Sequence, residues 1–175
     1  MSDVWPGRSS GPGIESKHRF SAGPYYDPAN MSLGPIIGFD EHTVEPGAGF
    51  DWHAHRGVHI LSWVLEGELQ HEDEDGSLLF VPPGMLLVQS TGDGIRHRET
   101  NALDDTILRF LQITVLRDGP TGVRLQRPPI MVAGVFVTTG SRAVGDGRGT
   151  LVHDLGNGKR LMLEFDSPSG STVQG

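Results

Sequence analysis

Short apolar runs of strand length, cut apart by turn pairs and never repeating at a helical period, restrict this chain to an all-β fold. Such runs fall at 34–40, 42–44, 58–65, 78–81, 85–89, 106–116, 130–137, 150–152 and 161–165. Asp75-Gly76, Asp93-Gly94 and Asn157-Gly158 punctuate several of them. No segment keeps apolar residues 3.6 positions apart through three turns, so helices are not expected. Twenty-five glycines and twelve prolines with only 7% aromatics suit tight turns between strands. Regularly spaced strands without helices favour a closed antiparallel barrel or a jelly roll, because closure removes exposed sheet edges.

The 175 residues make one domain, large enough to bury a core unaided. Residues 1–16 are rich in Gly, Ser and Pro and read as an N-terminal strap or tail; 167–175 read as a second tail. A change of direction is expected across 117–129. Cysteine is absent, which excludes disulfides and thiolate chemistry, so imidazole and carboxylate must hold any metal. A net charge of −8 without a basic stretch excludes direct nucleic-acid binding, which depends on neutralising phosphates. No apolar run reaches the roughly 20 residues of a membrane span, and the N-terminus lacks a secretory pattern, so a soluble, cytoplasmic protein is expected.

Two clusters carry the chemistry: His53-Ala54-His55 and, forty-two residues on, His97-Arg98-Glu99. Residues at i and i+2 of a strand share a face, so each cluster offers two ligands to one side. If 51–65 runs extended, His53, His55, His59, Leu61, Trp63 and Leu65 look inward, subject to a slip at Gly57. In the second cluster Ile95, His97 and Glu99 fall on one side and Arg96 and Arg98 on the other, which keeps guanidinium out of a cation's cavity. Three imidazoles and one carboxylate leave two positions of an octahedron open, the arrangement of a reactive centre. Such donors accept iron(II), manganese, cobalt, nickel, copper or zinc. Glu99 is the only acid of the set and hence the candidate catalytic base.

Other residues carry two readings each. His59 is either a further ligand or outer partner, or a packed histidine beside Leu61. Trp63 and Phe110 either stack on an aromatic substrate or fill the core. Gln112, inside an apolar strand, either reaches into the cavity or marks a wet face. His71, just past Glu66-Gly67-Glu68, is expected at an exposed hairpin position, with Asp73-Glu74-Asp75 as the solvated tip. His18, His42 and His153 have no partner pattern and read as structural or surface residues.

The segments His53-Ala54-His55-Arg56-Gly57, 65–73 (LEGELQHED), Pro83-Gly84 and 91–99 (TGDGIRHRE) resemble the signature of pirins, a branch of the cupin superfamily. Phe20-Ser21 and Tyr25-Tyr26-Asp27-Pro28 with Met31 resemble the start of the same domain, and the likeness covers about 17–116. It implies a single cupin double-stranded β-helix, a jelly-roll barrel spanning 17–120, with 121–166 supplying further strands in place of a full second half. It also implies iron(II) held by His53, His55, His97 and Glu99, and quercetinase-type dioxygenation of a hydroxylated aromatic or enolisable small molecule. Two other outcomes stay open: a non-oxidative metal-dependent isomerase or cyclase of small-molecule, polyketide-like biosynthesis, and a metal-binding regulatory protein without catalysis. Substrate and dioxygen are the expected partners, and a homodimer would cover strand edges. The chain departs from the pattern at His59, where the family usually has Glu, and at Leu87, where Gln is common.

Overall fold

The computed structural model describes residues 5–116, 121–132, 135–140, 149–156 and 158–165. No helix occurs among them, and none is therefore long and apolar enough to cross a membrane. The strands are β1 (Gly7–Gly11), β2 (Ile14–His18), β3 (Ile36–Val44), β4 (Gly49–His55), β5 (Val58–Glu66), β6 (Leu69–Asp73), β7 (Leu78–Val81) and β8 (Leu86–Ser90). They continue with β9 (Ile95–Asn101), β10 (Leu108–Leu116), β11 (Gly122–Gln126), β12 (Ile130–Val132), β13 (Val135–Gly140), β14 (Gly149–Gly156) and β15 (Lys159–Phe165).

Hydrogen bonding sorts them into three antiparallel sheets: β1-β2-β3-β10-β5-β8-β11, β4-β9-β6-β7 and β12-β13-β15-β14. Among the described residues the ladders do not close into a barrel. Each sheet keeps two edges and the molecule is an all-β sandwich of the cupin type, because opposed sheets already bury one another's faces. The expected N-terminal strap is a β-hairpin, β1-β2, added to the edge of the large sheet. Of the stretch expected to change direction, 122–126 forms β11; 1–4, 117–120 and the tail at 167–175 lie outside the described residues.

The large sheet has a different partner on each face, and side-chain alternation along its strands serves both. Phe39, Leu61, Trp63, Leu86, Val88, Leu111 and Ile113 point to one face, where they form a buried cluster with Val135, Val137, Leu161, Leu163 and Phe165 of the C-terminal sheet. Val44, Val64, Leu87, Leu108 and Phe110 point to the other, where they meet Leu69 and Val81 of β4-β9-β6-β7. β11 joins the edge of the large sheet, while β12 to β15 build a separate layer behind it. Trp5 stacks on Phe39 at 5.5 Å between ring centroids, and His153 meets both rings edge-on, so this histidine does have partners. Phe39 is fully buried. Phe39→Ala should destabilise the protein by about 3–5 kcal/mol, the usual cost of a Phe-sized core deletion, read from the urea midpoint.

Candidate metal centre

The small sheet supplies the ligands, and its register decides which residues meet. His53 pairs directly with His97 across β4 and β9, while His71 pairs with Glu99 and Asp73 with His97 across β6 and β9. A β-bulge between Phe50 and His53 adds one residue to β4. Without it Trp52 would share the inner face with His97; with it, Phe50, His53 and His55 point in. Trp52 instead lies outside between Arg96 and Arg98, whose guanidinium carbons stand 5.4 and 5.3 Å from its ring. The expected outward arginines are therefore found, paired with an aromatic surface. Gly49 lets β4 approach: a Cβ there would lie 2.5 Å from the Glu99 carbonyl oxygen.

His53, His55 and His97 bring one ligand atom each to within 4.8 Å of one another. A second set, His71, His97 and Glu99, meets the same limit, so the two triads share His97. The four residues expected to act together are thus adjacent, with Glu99 a step deeper than His53 and His55. The Nδ1–H of His53 donates to the Asp51 carbonyl at 2.6 Å, which leaves Nε2 for a metal. His97 is fully buried and its Nε2 has no hydrogen-bond partner among the described residues. A buried nitrogen without a partner, grouped with the imidazoles of His53 and His55, could serve as a ligand atom, so the residues fit a divalent cation. Burial pushes the His97 pKa down to about 3, with repulsion from His53, His71 and His55 adding to it. Burial, then His53, takes His55 down to about 4. Both rings are neutral at physiological pH, the form that ligates.

Glu99 is buried and is held by the large sheet. Gln89 Nε2 donates to Oε1 at 3.0 Å and Gln112 Nε2 to Oε2 at 2.9 Å, with the Ser62 hydroxyl at 3.4 Å from Oε1. An ionised carboxylate offers about four lone-pair sites, so lone pairs remain on it for a metal. Gln112 does reach the cavity. Leu87 shares its face with Gln89 two residues on, so the glutamine missing at 87 is met by Gln89 from the same strand face; Leu87 and Phe110 are fully buried in the apolar cluster beside the site.

Two expectations are corrected. The chain slips phase at Gly57 (φ +67°), so Ser62, not the odd-numbered residues of β5, faces Glu99. Trp63 accordingly lies in the core on the far side of the sheet from Glu99, the core-filling alternative of its two readings. His59 pairs with Ser90 there, Nδ1 to Oγ 2.9 Å, and belongs to neither triad. His59→Gln should leave the metal content per chain unchanged by elemental analysis.

His71 is the residue sequence reasoning misplaced: it is fully buried against His97, not exposed at a hairpin. Its signal was the i, i+2 pair His71/Asp73 on a strand facing the second cluster. His18 and His42 are also buried and partnered. His18 bridges Asp40 and Ser9 at 2.8 and 2.7 Å, and His42 Nδ1 hydrogen-bonds with the Ser16 hydroxyl at 2.7 Å. Burial, against opposing pulls from Asp40 and Glu41, holds the His42 pKa at about 4. Below pH 6.5 the unfolded chain binds a proton here that the native state refuses. Stability is therefore complete above pH 6.5 and falls as pH drops towards 4, by on the order of 3 kcal/mol. Urea titrations of metal-free protein should show this acid limb, to which His55 and His97 add, and His42→Gln should make it shallower without removing it.

An all-β sandwich with imidazoles and a buried carboxylate facing inward from neighbouring strands is a cupin-type metal-site scaffold. The Pirin family profile matches residues 4–115, and the chain belongs to the pirin family. Quercetin 2,3-dioxygenase of Escherichia coli K12 is 37% identical over 103 residues, covering 59% of this chain and 45% of the relative. A pirin-like protein of Caulobacter vibrioides is 35% identical over 102 residues, covering 58% and 44%. The chain thus matches less than half the length of these curated relatives. Among solved structures, the E. coli pirin YhhW in complex with nickel(II) superposes with a TM-score of 0.68 at 22% identity, over 92% of this chain and 90% of that one. Quercetin 2,3-dioxygenase of Acinetobacter baumannii gives 0.65 at 14% identity, over 94% and 77%. At these identities the likeness is one of fold.

Proposed function

We propose that this pirin is a metal-dependent oxidoreductase of the quercetinase type, acting on a hydroxylated aromatic or enolisable small molecule. The observation that carries the reading is the buried carboxylate of Glu99, held by two neutral amides beside the orphan Nε2 of His97. A structural carboxylate so deeply buried would ordinarily be paired with a cation. His53, His55, His97 and Glu99 would hold the ion, iron(II) in the first instance, although nickel(II) occupies the E. coli relative. When bound, the metal supplies Lewis acidity that lowers the pKa of a coordinated hydroxyl and a template for substrate beside dioxygen.

The chain's own residues do the rest. Glu99 takes the hydroxyl proton as general base while Gln89 and Gln112 keep both its oxygens oriented. Gln89 Oε1 is buried without a hydrogen-bond partner among the described residues, leaving an acceptor for a second substrate hydroxyl. Phe50 and Phe110, 6.3 Å apart and nearly perpendicular, form an apolar wall that limits water near the centre.

Oxygen uptake measured with quercetin as the probe tests this reading. Consumption of oxygen in step with flavonol loss, abolished by removing the metal, is expected. Equal turnover under nitrogen would place the protein with the non-oxidative isomerases and cyclases. Failure of the metal-loaded protein to turn over any flavonol or enolisable probe, with a metal-dependent protein partner, would make it a regulator.

A further inference from the structure

We infer, on the metal-centre reading above, that Asp73 and His71 are positioning residues that dictate which nitrogen His97 presents to the metal. Asp73 sits directly across the ladder from His97, and His71 across from Glu99, so all four share the inner face. The Nδ1 atoms of His71 and His97 lie 3.3 Å apart, with both rings fully buried. At that separation one nitrogen must carry a proton and the other a lone pair. On the far side of its ring, His71 Nε2 is 3.1 Å from Asp73 Oδ1, an ion-pair distance whose angle falls short of a hydrogen bond, and neither atom has a hydrogen-bond partner among the described residues.

Taken with both rings uncharged, these separations favour one proton arrangement, in which His71 turns its N–H towards the Asp73 carboxylate. An ionised carboxylate only accepts, so His71 carries its proton on Nε2, facing Asp73. Its Nδ1 is then the acceptor, and Nδ1 of His97 is the donor. What remains on His97 is a lone pair on Nε2, the orphan atom of the site. A free histidine side chain in water favours the opposite tautomer, with the proton on Nε2, which cannot ligate through that atom. The Asp73–His71 pair therefore selects the binding-competent ring, and the carboxylate behind it raises the basicity of the ligand. Pairs of this kind, an outer group fixing a ligating histidine, typically account for 10–100-fold in metal affinity.

The test combines two readouts on full-length protein. Long-range proton–nitrogen correlation spectra of the metal-free form report the tautomer of each ring, and equilibrium dialysis with nickel(II) alone reports affinity and stoichiometry. Wild type should show His97 protonated on Nδ1 and His71 on Nε2. In His71→Leu, His97 should revert to the Nε2–H form and nickel affinity fall by about 10–100-fold. His71→Gln, whose amide can accept from His97 and donate to Asp73, should keep the tautomer and bind within a few-fold of wild type. Asp73→Asn removes only the charge at a residue 18% exposed, so it should fold even where His71→Leu does not, and weaken nickel binding while retaining the tautomer. An Nε2–H tautomer for His97 in the wild type would overturn the assignment, as would unchanged affinity in both His71→Leu and Asp73→Asn. Two nickel ions per wild-type chain and one in His71→Leu would do the same, by making His71 a ligand. Absence of nickel binding in the wild type, with the tautomers as stated, would instead remove the metal-centre reading and leave the pair.

Discussion

His55→Ala should strip the centre of its metal. Wild type is expected to carry one ion per chain, and the variant less than a tenth of that at equal metal supply, because a lost ligand costs more than the roughly 10–100-fold lost with an outer partner. His55 is partly buried at the end of β4 and belongs to neither core cluster, so the fold should survive the change. Elemental analysis of both proteins, with circular dichroism as the check on folding, decides it. Equal metal content would sink His55 as a ligand.

Glu99→Gln should lower turnover by at least about 10²-fold, the lower end of what a positioned acid or base contributes. The amide keeps the size and one donor oxygen and loses the negative charge and the basicity. It also turns one of the two flanking contacts into a clash of amide donors, since Gln89 and Gln112 both present N–H groups to this side chain. Metal should still bind, more weakly, and oxygen uptake should fall in parallel with substrate loss. A metal-loaded variant as fast as wild type would remove Glu99 from the proton transfer.

Much of the fold was legible before the structure. Short apolar runs and turn pairs marked the central strands of the large sheet and most of the C-terminal one. The clusters at 53–55 and 97–99 named residues that do converge, since two ligands at i and i+2 on each of two strands can meet only if those strands are neighbours. The edge hairpin β1-β2 was harder to see because its Gly- and Ser-rich strands bury little apolar surface and gain their order from pairing with β3. Short β6 hid His71 for a related reason: in LQHED the polar residues alternate with other polar residues, so no hydrophobic pattern says which side is inside.

The sequence by itself determined the class of fold, the nitrogen and oxygen donor set, and the exclusion of thiolates, because these follow from residue types and from spacing along a single strand. Tertiary structure alone decided phase and partnership. Parity along a strand survives only until a bulge or a positive-φ glycine shifts it by one residue, and this chain has both around its first ligand cluster: the bulge at 50–53 that turns Trp52 out, and Gly57, which sends His59 and Trp63 to the far core. Partners such as Gln89 and Gln112 for Glu99, or His71 and Asp73 for His97, come from other strands at sequence separations of 10 to 26. Cross-strand register sets those contacts, and register is a property of how the sheets pair and pack, which no local pattern in one strand encodes.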